Sequence, residues 1–463
     1  MSNQKGPHVL IVGAGIAGLA TAILLERAGI SYHIFERAKE VKVLGAAMSL
    51  TPNILPVFEQ LGLLEDLQKV SMGFPSIDIL NEDLKTVMSI DTSQAKEITG
   101  YSSTVFSRAE LYNLLYSKIP ASKISMGQKI MSLEQNTLGV MIRVNDGTTH
   151  HGDILVGADG AYSAVRQSLF KKMEACGTLP AIDKEDMRAG YICMVGTTEP
   201  LDQEKYPDLK KDYSKFVQVV GKDKMYSWTV LSVPGNKICW SVKLQLESEQ
   251  QAKKMMFRNS EWGPEGNEDM IKDIYNFPSP FGGVLGDLID ATPRDLISKV
   301  YLEEKLFETW HHGRTVLIGD ACHKMLPSGG QGAVNALQDA VVLVNSIYDM
   351  EDSTPKGIAA ALLQYQQLRY PRAKLQYETS KMMAKLMLGQ TWLERFIRFL
   401  FTNVLPKSVY LKNYVKSTAY RPMAAFLPFV ENRGSAPVEP QEPSKRYLAE
   451  QAQKATAKSP IAI

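Results

Sequence analysis

Three glycines, Gly13, Gly15 and Gly18, stand in G-x-G-x-x-G spacing inside the segment HVLIVGAGIAGLATAILLERAGISYHIFER, and no other feature limits the fold as strongly. Before them, Val9 to Val12 is a continuous apolar run; after them, apolar residues recur at helical spacing, and a second strand ends at Phe35. That pattern is one βαβ unit at the front of a parallel sheet. The first glycine allows a tight turn, the second lets a pyrophosphate approach the backbone, and the third lets the helix pack on the strand. Free N–H groups and a partial positive charge at the helix start then face the phosphates. Glu36, at the end of the second strand, is placed to accept hydrogen bonds from a ribose diol. The unit predicts a bound adenine dinucleotide, with NAD and FAD equally open on these residues alone.

At 463 residues the chain is long enough for two or three packed units and a large cofactor. Lys plus Arg (52) nearly balances Asp plus Glu (50), so nucleic acid is not an expected partner. Cys176, Cys193, Cys239 and Cys322 are far apart, which indicates neither a disulfide framework nor a thiolate metal site. The polar start MSNQKGP runs straight into strand and helix, unlike a secretory signal, and no apolar run reaches bilayer length. A reducing, cytoplasmic location is expected. From about residue 188 to 246, β-rich pieces such as GYICMVGTT, KFVQVVG, MYSWTVLSV and KICWSVKLQ predict an antiparallel sheet. After GGQG the chain reads as helical from Ala333 to Met387, with a break near Pro355. From Glu431 the composition turns to Pro, Glu, Lys and Ala, which predicts a disordered or loosely draped tail.

Two later segments decide between the dinucleotides. In DILVGADGAYSAVR a strand delivers Asp159 and Gly160, followed by Ser163 and Arg166; in GRTVLIGDACHKMLPSGGQGAVNALQDA a strand ends at Gly319-Asp320. With the glycine fingerprint, the chain resembles the FAD-dependent aromatic hydroxylase and epoxidase family, the class A flavoprotein monooxygenases, over roughly residues 8 to 380. The segments match that family's D-G-x-x-S-x-x-R, and its G-D-A-x-H, P-x-G-G-Q-G and N-x-x-x-D. The resemblance implies FAD as cofactor, with Asp159 near the pyrophosphate and nicotinamide use and Asp320 on the ribityl hydroxyls. GAAMSLTPN, from Gly45 to Asn53, is similar to the family's G-A-G-I-x-L-x-P-N and offers a backbone contact from Ala47. Arg108, ahead of a helix, fits an arginine that reaches the pyrophosphate. An Asp following a buried strand also serves as a helix cap, and that plainer role is open to Asp159 and Asp320.

The expected fold is α/β: a Rossmann-like FAD-binding domain with an inserted, mainly antiparallel β-sheet substrate domain and a helical C-terminal region. Its boundaries are 1–75, 100–175 and 295–350 for the discontinuous FAD-binding domain, and 76–99 and 176–294 for the substrate domain. A helical region at 351–430 and a disordered tail at 431–463 complete the chain. The expected reaction uses NAD(P)H and O2 to hydroxylate or epoxidise a small organic substrate, aromatic, polyketide or terpenoid-like, through a flavin C4a-hydroperoxide. Such chemistry needs donors fixed at the N1 and C2 carbonyl edge of the ring. Backbone N–H groups of Gly330 through Ala333, at a helix beginning near Gly332, meet that need, and Pro327 offers a wall without an N–H.

Arg188, Tyr191, Tyr226, Trp228 and Trp240 are the substrate contacts the β-rich segment offers, with Arg188 and Tyr226 as catalytic candidates holding a phenolate or polarising an enone. The pairs His150-His151 and His311-His312 lack metal-site spacing, so no metal is expected. His323 is expected to anchor its loop and Cys322 to be packed. TWLERFIRFLFTNVLP, from Thr391, reads as a helix covering the substrate domain or as one lying on a membrane surface. A flavin-dependent reductase or oxidase without oxygen insertion, and a FAD-binding redox sensor, are the competing functions. A flavin halogenase is disfavoured, because only Trp228 stands where W-x-W-x-I-P would be.

Overall fold

The computed structural model describes residues 6–40, 47–221, 225–246, 267–388, 392–403 and 407–458. The chain opens with β1 (His8–Val12), α1 (Ile16–Arg27) and β2 (Ser31–Glu36). Then come β3 (Ala47–Leu50), β4 (Ser76–Asn81), β5 (Thr86–Asp91), β6 (Thr104–Ser107) and α2 (Arg108–Tyr116). β7 (Ile154–Gly157) leads into α3 (Ala164–Ala175). The long middle segment forms β8 (Arg188–Thr197), β9 (Phe216–Val220), β10 (Tyr226–Val233) and β11 (Lys237–Gln245). Two short helices follow, α4 (Glu268–Ile274) and α5 (Leu285–Asp290), then β12 (Ser298–Leu306) and β13 (Thr315–Leu317). The C-terminal part is helical: α6 (Gly332–Tyr348), α7 (Pro355–Leu388), α8 (Trp392–Asn403), α9 (Lys407–Thr418) and α10 (Lys445–Lys458).

The first sheet is parallel where it matters for the site. β1 lies between β2 and β7, and β7 pairs with β13. Val9, Leu10 and Ile11 are buried because α1, which packs against α6, covers one face of this strand and the strand Thr149–Gly152 covers the other, where a Cβ on Gly152 would lie 2.8 Å from Leu10 Cγ. Gly18 lets α1 lie against the turn after β1, since a Cβ there would lie 2.0 Å from the Gly13 carbonyl oxygen.

The second sheet has eight strands in the order His323–Lys324, β12, β8, β11, β10, β9, β4, β5. Its pairings are antiparallel except for β9 with β4. Strand alternation divides its residues between two faces. The outer face carries Ile192, Met194, Trp228, Val230, Trp240 and Val242, all in one core cluster with α4 and α5. The inner face carries Tyr191, Val220 and Ile79, which cluster with Leu326 and Ala384 from the loop before α6 and from α7.

The helical break expected near Pro355 falls between Tyr348 and Pro355, where α7 begins, a position at which proline's missing N–H is harmless. Residues 431–458 depart from the expected disorder. Glu439 pairs with Arg372, Ser444 donates to Asp349, Glu450 accepts from Tyr348, and α10 follows. The tail has few large apolar residues, but polar contacts and the packing of Tyr447 on the core hold it to the body, which composition alone does not reveal.

Candidate active site

The glycine turn after β1 is sterically defined on one side and open on the other. Gly13 has φ 105° and a Cβ there would sit 2.5 Å from the Ala158 carbonyl oxygen, so only glycine fits. Gly15, which precedes α1, has nothing within 4 Å of the position a Cβ would take. No side chain caps α1, and its first turn has no acidic residue, so its N–H groups point into that open space. The Glu36 carboxylate accepts from Ala14 N and from Ala38 N, each at 2.8 Å, and is thereby fixed at the edge of the same space with lone pairs to spare. Ala47 pairs with Ser107 across β3 and β6, which brings its backbone beside Arg108. Arg108 opens α2, is exposed, and has no ion pair among the described residues. Of the GAAMSLTPN segment, Gly45 and Ala46 lie outside the described residues; Asn53 anchors its far end by donating to the Ser417 and Tyr420 carbonyls.

Asp159 shows the capping role. Its buried carboxylate accepts from the Ser163 hydroxyl, from Ala164 N at 2.7 Å and from Val165 N at 3.2 Å, at the start of α3. Burial raises its pKa despite these donors. Arg166 joins the two family segments by donating to the Ala321 carbonyl at 2.8 Å and to the Ala161 carbonyl at 2.7 Å. Asp320, at the end of β13, pairs with Lys324 and keeps part of its surface accessible.

The loop around Asp320 hangs from Asp339, which has no accessible surface. It accepts from Gly319 N at 2.9 Å, pairs with His323 Nε2, and receives Arg369 Nε at 2.8 Å. Burial pushes the Asp339 carboxyl upward, but His323 and Arg369 outweigh that and leave it below the ordinary carboxylate value. Cys322, His323 and Asp339 lie close enough to suggest a metal site, with ligand atoms within 4.8 Å. The guanidinium of Arg369, however, already supplies the positive charge there. Cys322 is fully buried, which holds its thiol well above the ordinary value and makes a thiolate ligand unfavourable. Arg369 was not anticipated from sequence; it lies thirty residues past Asp339 and no local motif marks it.

Beyond Pro327 the chain turns through Gly330 at φ 62° into α6. Gly332 and Ala333 form the first turn of that helix, which has no acidic residue and no side-chain cap. Like Gly15, Gly332 has nothing within 4 Å of a built Cβ. Two helix starts therefore present N–H donors and bare glycine surface to one side of the sheet. That arrangement fits FAD, whose pyrophosphate and electron-rich ring edge both take free N–H donors of this kind.

The substrate contacts expected on the sheet divide between its faces. Trp228 donates to the Pro278 carbonyl, Trp240 to Thr292 and Tyr226 to Asp273 at 3.1 Å, all on the outer face under α4 and α5. Tyr226 thus packs away from the Leu326–Pro327 loop, and its candidacy as a catalytic residue is withdrawn. Arg188 is exposed at the sheet margin, opposite Glu304, a carboxylate that Lys381 of α7 also approaches at 3.8 Å. Tyr191 does face the loop. A buried polar row, Gln218, Ser227 and Thr229, continues on this inner face to Lys243. Sequence reading passed over this row, although alternation in KICWSVKLQ puts Lys243 opposite Trp240 and Val242.

The chain matches the FAD binding domain family over residues 7–190 and 286–380. It is 30% identical over 395 residues to the FAD-dependent monooxygenase ptmM of Penicillium ochrochloron, covering 83% of this chain and 89% of that protein. It is 29% identical over 459 residues to the FAD-dependent monooxygenase ausM of Penicillium brasilianum, covering 95% and 91%. Among solved structures, Klebsiella pneumoniae HpxO complexed with FAD and uric acid superposes with a TM-score of 0.72 at 22% identity, covering 90% of this chain and 97% of the other. FqzB superposes with a TM-score of 0.67 at 19% identity, covering 89% and 94%.

Proposed function

The chain belongs to the FAD-binding-domain family of FAD-dependent monooxygenases, and from that premise we propose that it hydroxylates or epoxidises a small, largely apolar molecule held between the Leu326–Pro327 loop and the inner face of the eight-stranded sheet. The observation that carries this reading is the buried polar row on that face, bordered by the apolar cluster of Ile79, Tyr191, Val220, Leu326 and Ala384. Such a wall suits an apolar body with a polar end.

When bound, FAD would supply the redox chemistry, in which a hydride from NAD(P)H and O2 give one oxygen atom to the substrate and one to water. The protein's part is placement. The start of α1 and Arg108 would hold the pyrophosphate, Glu36 the ribose diol, and Asp320 the ribityl chain. The N–H groups of Gly332 and Ala333 stabilise negative charge at the ring edge without reorganising. Pro327 and Leu326 keep water from the reacting side. Asp159 supports the site by holding the start of α3 against the glycine turn. Arg188, at the exposed margin, meets the substrate as it enters. Residues 76–99 and 176–294 form the substrate domain in this reading, inserted between pieces of the cofactor domain.

Labelled O2 tests the reading: one labelled atom must appear in the product, with NAD(P)H consumption rising when substrate is added. Label found only in peroxide or water with every substrate tried would favour a reductase or oxidase.

No helix among the described residues is long and apolar enough to cross a membrane. A surface contact is favoured by α8, which turns its apolar arc outward: Trp392 is 78%, Phe396 52% and Phe399 57% exposed. Glu394, on the opposite arc, lies within electrostatic reach of Tyr191 on the inner face. Arg395, exposed at the flank between the two arcs, suits the helix to an anionic lipid surface, from which an apolar substrate would enter. Co-sedimentation with phosphatidylserine vesicles checks this: binding should fall in a Trp392→Ser, Phe396→Ser variant, and equal binding by both proteins would count against it.

A further inference from the structure

Lys243 stands apart from the residues that this reaction ordinarily requires. On β11, Trp240, Val242 and Leu244 pack on the outer face, so Lys243 projects to the inner one. Its register neighbours are Cys193 on β8 and Ser227 on β10. Two residues before Cys193 stands Tyr191, and across from Ser227 stands Val220; both belong to the cluster that contains Leu326. Lys243 therefore lies between residues that touch the loop leading into α6. Its side chain keeps some accessible surface although protein surrounds the amine, as expected at the floor of a cleft.

Its Nζ donates to Thr229 Oγ1 at 3.2 Å, and no carboxylate pairs with it among the described residues. A buried cation without a counter-charge is destabilising, so a fold that keeps one leaves a place for a ligand anion. Burial holds the amine below its ordinary value, with Cys193 the one titratable group acting on it in the other direction.

Resting on the monooxygenase reading for where the substrate lies, we propose that Lys243 is a specificity-determining residue that receives an ionisable hydroxyl, of phenol or enol type, on an otherwise apolar substrate. The substrate is held as its conjugate base: the O–H bond breaks, the proton passes to water, and the electron pair stays on oxygen. The product is an oxyanion facing an ammonium, a charge-assisted contact stronger than a neutral one. Conjugation of that oxyanion enriches the neighbouring ring or alkene carbon, the atom to be oxygenated. Thr229, within reach of the amine, orients it.

The test uses the FAD-loaded enzyme and a matched pair of probes, 1-naphthol and 1-methoxynaphthalene, followed by the change each makes in flavin absorbance. The hydroxyl compound should bind about tenfold more tightly than its ether. Lys243→Met should bring the two within about twofold while leaving the ether's affinity unchanged, the outcome for a lost charged contact. Lys243→Gln serves the same purpose if the methionine variant is poorly folded, and FAD content and melting temperature report that. Equal binding of the pair to the native enzyme, binding of neither, or undiminished discrimination in the variants overturns the assignment. Labelled O2 separates the two readings. Discrimination without oxygen insertion would sink the monooxygenase and leave Lys243 as the hydroxyl receptor; oxygenation without discrimination would do the reverse.

Discussion

Asp339 and Arg369 meet across α6 and α7 in a 2.8 Å ion pair in which neither side chain has any accessible surface. The same carboxylate holds Gly319 and His323, so one buried charge ties two helices to the loop that carries Asp320.

Asp339→Asn should therefore be far more damaging than an ordinary buried substitution, because it leaves the Arg369 cation unpaired; about 3–5 kcal/mol is expected. Thermal melts with and without FAD measure this. The pH dependence has a definite sign. Asp339 is held below its ordinary value of 3.8, so its stabilisation is present above that value and is lost as pH falls through the lower folded one. The native protein should show this acid-linked loss, and the Asn variant should lack it.

Glycines at the two helix starts should separate binding from folding. At Gly15 and Gly332 an added Cβ meets no protein atom within 4 Å, so Gly15→Val and Gly332→Val should fold with melting temperatures close to native in the apo state yet emerge without FAD. Gly18→Val places its Cβ 2.0 Å from a backbone oxygen and should fail to fold. Flavin absorbance and circular dichroism distinguish the outcomes; a yellow Gly332→Val protein would contradict the placement of the ring edge.

Glu36→Ala should lose most of its flavin, since the ribose diol has no comparable acceptor and the Ala14 and Ala38 N–H groups lose theirs. A weakening of about 1–3 kcal/mol is expected in FAD affinity. Full FAD occupancy in the purified variant would count against this role.

Asp159→Ala removes the acceptor for three donors at the start of α3. The expected cost is about 1–2 kcal/mol of stability, as for other helix caps. Stopped-flow reduction by NADPH should proceed at near-native rate per bound FAD. A large fall in that rate with unchanged stability would instead place Asp159 in nicotinamide use.

The two faces of the second sheet should answer differently. Tyr226→Phe loses one hydrogen bond to Asp273 on the outer face and should cost about 1 kcal/mol of stability with kcat and KM unchanged. Thr229→Val, on the inner face, should raise KM with little change in melting temperature. Steady-state kinetics with any oxygenated substrate decides the matter.

Much of the cofactor side was legible because its residues are bound to the backbone pattern: a turn after a strand and a helix start after a glycine leave little freedom in where Gly13, Asp159 or Gly332 can lie. The sheet side was harder. Alternation separates Tyr226, Trp228 and Trp240 from Lys243 and Thr229, but nothing in these strands says which set is covered. That is settled by α4 and α5, more than twenty residues downstream, whose apolar faces seal the aromatic side. Large aromatics look like binding groups in a sequence, yet a face closed by helices is where they bury most area. Arg369 and the folded tail escaped notice for a related reason, since both act through partners distant in the chain.

The parallel sheet also dictates a schedule. β1 acquires one neighbour from residue 154 onward, and that neighbour acquires its own only at residue 315. A nascent chain of 463 residues therefore encloses β1 between β2 and β7 when about one-third is made, but β7 itself stays an edge until about two-thirds is made, and α6 comes later still. A polypeptide ended before residue 315 would display β7 as an unpaired edge open to intermolecular pairing.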